Sequence, residues 1–121
     1  MYDLDELFSQ LAESPFRQRF RLQEPELSYF RRRGIETIRN HAAEFIEKRL
    51  APANPAKDGK QTPYRNHPVF VAQHATGTCC RSCLQRWHDI PKGRNLNTTE
   101  KQYIVTVLER WLLTENSRYP D

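Results

Sequence analysis

The chain is short of everything that would make it a membrane, secreted or fibrous protein. Its longest apolar stretches fall far below the roughly 20 residues needed to cross a bilayer. It opens Met-Tyr-Asp-Leu-Asp-Glu-Leu-Phe, an acidic start without the cationic head and apolar run of a secretory leader. No internal repeat or low-complexity tract interrupts it, so solenoid and collagen-like architectures are excluded. Glycine occurs four times and methionine once, and there are only three cysteines. Three cysteines cannot form a disulfide framework, and in a chain read as cytoplasmic they stay reduced. Neither sign of charge dominates the whole: 19 Lys and Arg face 15 Asp and Glu, a net +4.

What is present is enough for one small core. At 121 residues, with 37% hydrophobic and 11% aromatic side chains, the sequence reads as a single domain, residues 1–121. The periodicity predicts a mainly α fold of four to five helices. Leu4, Leu7, Phe8 and Leu11 mark a first helix over 3–13, with Asp3 and Glu6 at capping-box spacing. A second short helix starts at Pro25 and stops near Gly34. The third, over 35–50, places Ile35, Ile38, Ala42, Phe45, Ile46 and Leu50 on one stripe. Pro52, Pro55, Gly59 and Pro63 make residues 51–66 an internal loop. The last helix follows the Asn97–Glu100 capping box and carries Ile104, Val107, Leu108, Trp111 and Leu112 inward. Residues 67–76 stay open between a short β element and a helix, because Val69 and Val71 favour the first and Pro68 the second.

Charge and chemistry concentrate in one segment. Residues 1–59 balance at ten cations and ten anions, whereas residues 60–94 hold Lys60, Arg65, Arg81, Arg86, Lys92 and Arg94 against Asp89 alone. All three cysteines and two of the four histidines lie within residues 74–88 of the same basic stretch. Cys80 and Cys83 have the two-residue gap by which a turn brings two thiolates to one tetrahedral ion. His88 follows at the spacing of a zinc knuckle's third ligand, but the knuckle's fourth place is Gly93, which has no donor. The fourth ligand is therefore sought upstream, and the set expected is His74, Cys80, Cys83 and His88, with Cys79 and His67 as alternates. Helix geometry limits it: one continuous helix from Cys80 to His88 would hold them about 12 Å apart along its axis. If the helix does run so, His88 drops out and His74, Cys79, Cys80 and Cys83 remain. Zinc is the expected ion; iron, or an iron–sulfur cluster that would normally want four thiolates, is the alternative.

Three functions fit these residues. A nucleic-acid-binding module with a structural zinc would use Arg81, Arg86, Lys92 and Arg94 against the phosphates of DNA or RNA, with Trp87 as a stacking ring or as a cover for the core. A zinc-dependent hydrolase or nuclease would need an open metal position and a base, for which Asp89 is the one acidic residue at hand; no catalytic set can be named. A protein-interaction adaptor would need only the enclosed metal.

The central signature is also recognisable. The run from His67 to Thr76, then Cys79-Cys80-Arg81, Cys83-Leu84, Trp87-His88 and Ile90-Pro91-Lys92-Gly93, resembles a bacterial and prophage family known as a domain of unknown function. Leu11-Ala12, Phe16-Arg17, Gly34 to Ile38 and Gly59 to Pro63 fit it as well. The resemblance implies a bacterial source and a His/Cys centre within residues 67–94, and no activity.

Overall fold

The structure is a computed structural model that describes residues 1–120. Its elements are all helical, in the order α1 (Leu4–Ala12), α2 (Pro15–Gln18), α3 (Glu24–Arg33), α4 (Ile35–Phe45), a π-helical turn (Ile46–Leu50), α5 (Pro68–Thr76), α6 (Arg81–His88) and α7 (Thr98–Ser117). No helix among the described residues is long and apolar enough to cross a membrane. The fold class is as expected, with more and shorter helices. The short β element that residues 67–76 left open is instead a helix.

Local chemistry accounts for most helix ends. Asp3 accepts from the Glu6 N–H at the start of α1, and Asn97 and Glu100 close a reciprocal capping box on α7. Ser14 caps α2, a single turn that no periodicity could reveal. Gly34, at φ 85°, ψ 158°, turns the chain from α3 straight into α4.

Helix α5 is the axis of the molecule. All nine of its residues are buried, and it packs chiefly against α7, with α2, α3 and α4 closing around it. A helix covered on every side has no polar face, which is why its sequence shows no amphipathic stripe. Proline fits its first position, and His67 caps it by accepting the Val69 N–H on Nδ1 at 3.0 Å. At its C-terminal end Gly77 takes the left-handed conformation, φ 71°. A side chain there would meet the Trp87 ring at 2.7 Å, so glycine is required twice over.

The apolar core follows the predicted stripes. Ile38, Ala42 and Ile46 from α4 and the π-helical turn meet Val69 and Val71 from α5 and Ile104, Leu108 and Leu112 from α7. A smaller cluster of Leu7, Leu11 and Val107 joins α1 to α7, with Trp87 half-buried against it.

Candidate metal centre

Where α5 ends, residues 77–80 turn the chain into α6. Cys80 is the N-cap of α6, and its Sγ accepts the Cys83 N–H at 3.4 Å. Cys79 precedes it and Cys83 sits one turn inside the helix. The three Sγ atoms all lie within 4.8 Å of one another. Ligands to a single zinc, with bonds of about 2.3 Å, stand roughly 3.8 Å apart, so the cluster needs only a small contraction to close on an ion. The helix start adds a partial positive charge that favours thiolates.

Arg17, from α2, reaches into this cluster. Its guanidinium donates to Cys83 Sγ at 3.3 Å, to Cys79 Sγ at 3.8 Å and to the His74 carbonyl at 2.7 Å. It also lies over the Phe16 and Trp87 rings, 5.0 and 5.7 Å from their centres. Negative charge settles on Cys83: hydrogen bonds from the Cys79 and Cys80 thiols, and then Arg17, hold its pKa well below the usual thiol range. Cys79 is pushed up by its bonds to Cys80 and Cys83 and by burial. Cys80 is raised too, because a bond from Cys79 that favours its thiolate is outweighed by donation to Cys83 and by burial. The cluster thus holds protons that a cation can replace, the ordinary exchange by which thiols take up a metal.

The histidines divide differently from their spacing. His88 is fully buried at the far end of α6 and faces the Thr76 carbonyl through Nε2 at 2.8 Å. A carbonyl only accepts, so Nε2 carries the proton and Nδ1 accepts from the Tyr103 hydroxyl at 2.7 Å. Both nitrogens of His88 are used, and burial holds its pKa down at about 4. His74 presents Nε2 to the Thr62 carbonyl at 3.1 Å. By the same reasoning its proton is on Nε2, and Nδ1 is the basic atom. Its ring is stacked on Tyr64, centroids 4.2 Å apart. His67 lies at the other end of α5, hydrogen-bonded through Nε2 to His41 Nδ1 at 3.0 Å. Of the residues named from sequence, the structure gathers Cys80 and Cys83 with the alternate Cys79. His74, His88 and His67 all stand outside it; His74 is tied to it through Arg17, which donates to the His74 carbonyl as well as to Cys79 and Cys83.

The cations of the basic segment are placed as follows. Arg81 is buried, and its guanidinium donates to five carbonyls: Leu50, Ala51 and Pro52 through Nη1, Pro91 and Arg94 through Nη2. It ties the π-helical turn to the stretch after α6. Arg94 forks onto Glu100, and Lys92 reaches Ser82 and Asp58. Arg86 points into water from α6.

Three residues that the spacing argument missed complete the centre: Arg17, Thr62 and Asp58. Thr62 donates to the Cys79 carbonyl at 2.7 Å while its own carbonyl orients His74. Asp58 accepts the Arg81 N–H at 3.1 Å and so serves the exposed amides at the start of α6. Both lie in the 51–66 loop, which is pinned over the cysteines. Arg17 carried one sequence signal, its place in residues 14–21, where three arginines occur without an acid.

The family described as Domain of unknown function (DUF4186) matches residues 5–113. The chain belongs to that family. The match spans α1 to most of α7, so the whole cysteine centre lies within it. No solved structure matches the chain.

Proposed function

We propose that this member of the DUF4186 family is a zinc protein whose single ion is held by Cys79, Cys80 and Cys83, with His74 Nδ1 as the fourth donor. The observation that carries the reading is the convergence of three sulfur donors within 4.8 Å at a helix start. The surroundings support it in two ways. Three thiolates and Zn2+ sum to −1, which Arg17 brings to zero in a buried place where an unbalanced charge is costly. His74 has the second contact typical of ligating histidines, its other ring nitrogen donating to a backbone carbonyl.

The ion's role in this reading is structural. Its donors come from the end of α5, the connecting turn and the start of α6, while Arg17 and Thr62 attach α2 and the loop. Four protein donors close a tetrahedral zinc and leave no position for a reacting water. Asp89, the acid a hydrolytic reading would use, sits at the opposite end of α6 from Cys80, about 13.5 Å along the axis.

The test is metal content of the untagged protein by plasma mass spectrometry, beside Cys80→Ser and a Ser82→Ala control. About one zinc per chain is expected in wild type and control. In Cys80→Ser the zinc is lost and the thermal transition falls with it. Equal zinc in Cys80→Ser and wild type would refute the ligand set.

A further inference from the structure

Two large apolar side chains that the fold leaves in water stand beside the cysteine centre. Phe16 is 45% and Tyr64 60% exposed. Neither ring is loose. Phe20 lies between them, edge-on to Phe16 at 5.3 Å and parallel to Tyr64 at 6.2 Å. Tyr64 in turn lies flat on the buried His74. The rings are held in place by one another and by the residues that build the centre, so a ligand that stacks on them meets a surface already ordered.

Cations outnumber acids in the two stretches that carry this strip, which are flanked by Glu13 and Asp58. Residues 14–21 carry Arg17, Arg19 and Arg21, residues 59–66 carry Lys60 and Arg65, and neither stretch contains an acid. Arg17 is spent on the thiols, Arg21 on Glu115 and Arg65 on Glu26. Arg19 and Lys60 are exposed and make no ion pair among the described residues. The Arg19 guanidinium is 5.6 Å from the Phe16 ring centre. Across Arg17, the strip continues to Trp87, and Arg86, its neighbour in the sequence of α6, is exposed. Flat rings interleaved with uncompensated cations match unpaired bases joined by phosphates.

We propose that this face, with Phe16 and Tyr64 as stacking rings and Arg19, Lys60 and Arg86 around them, binds single-stranded nucleic acid. The inference goes beyond the zinc reading and does not depend on it: the metal centre lies beneath the face, and the contacts that fix the rings require no ion. It also moves the phosphate contacts away from Arg81, Lys92 and Arg94, whose donors are engaged within the fold.

The experiment is a fluorescence anisotropy titration of a labelled oligothymidine, about 15 nucleotides long, with the full chain as purified. Zinc content and thermal transition are measured for every variant, which separates loss of the centre from loss of the surface. Phe16→Ala and Tyr64→Ala are each expected to weaken binding about tenfold. Tyr64→Phe keeps the ring and is expected to keep the affinity. The triple change Arg19→Gln, Lys60→Gln, Arg86→Gln is expected to lower the slope of log affinity against log salt by about 2. A duplex of the same length should bind more weakly, because its bases are already stacked. The proposal is overturned by absence of binding at low salt, by ring variants that bind like wild type, or by a duplex that binds as tightly as the single strand.

Discussion

Helix α7 turns Ile104, Leu108 and Leu112 inward and leaves Gln102, Thr106 and Leu113 to water. Helix α5, packed against it, hides Gln73, His74 and Thr76 as thoroughly as Val69 and Val71. The first is held by area: each buried leucine contributes about 1.5–3 kcal/mol, with little demand on direction. The second must give every polar atom a partner, because an unpaired one costs about 1–3 kcal/mol. Gln73 donates to the Thr78 carbonyl, Thr76 donates to the Ala72 carbonyl, and His74 takes the Thr62 carbonyl. Burial by area tolerates exchange between apolar residues, whereas burial by pairing fixes the identity of each residue. That second regime is where the thiols, Arg17 and Arg81 lie, with Arg81 Nε the exception, buried without a hydrogen-bond partner.

The contrast can be broken by substitution. Arg81→Met keeps volume but takes a donor from five carbonyls, of which Ala51 keeps the Leu96 N–H, and it should cost about 4 kcal/mol or more. Leu108→Ala in the apolar regime should cost about 3 kcal/mol. Chemical denaturation of both variants checks the order; an Arg81→Met protein more stable than Leu108→Ala would collapse the distinction. Gly77→Ala is next, at about 2 kcal/mol, from a left-handed backbone and a Cβ pressed against Trp87. Adding Trp87→Leu should recover part of that loss, and no recovery would mean that backbone strain alone sets it.

A further effect is one of pH. Burial, and then His41, hold the His67 pKa down to about 4 from its ordinary 6.5. Below pH 6.5 the unfolded chain takes up a proton that the folded chain refuses. Stability present above pH 6.5 should therefore drain away as the pH falls towards about 4. His67→Asn retains the helix cap and removes the titration, so its stability should vary less over that window. Parallel curves for the two proteins would place the acid sensitivity elsewhere.

The same contrast decides how much could be read from the sequence. Wherever burial is one-sided, as in α4 and α7, apolar spacing revealed both the helix and its core residues. In α5 it was silent, since a stripe needs a polar face to stand out against. The turn of α2 is too short for periodicity, and it carries Arg17, whose contacts with Cys79 and Cys83 span more than 60 positions of chain. Cysteine spacing located the centre within a few residues but set His88 beside Cys83. Helix α6 then carries the two apart, and the Tyr103 hydroxyl that occupies His88 comes from α7. The net charge of the basic segment was legible, but not the distribution of partners within it. Arg81 and Arg94 look alike as residue types, and only the fold shows one bound to carbonyls and the other to a carboxylate.

The central claim is the identity of the donors, and X-ray absorption at the zinc edge reads it directly on the purified protein. The account predicts three sulfur neighbours at about 2.3 Å and one nitrogen at about 2.0–2.1 Å. Two sulfurs with two nitrogens would restore His88 to the centre and contradict it, as would a protein that carries no zinc.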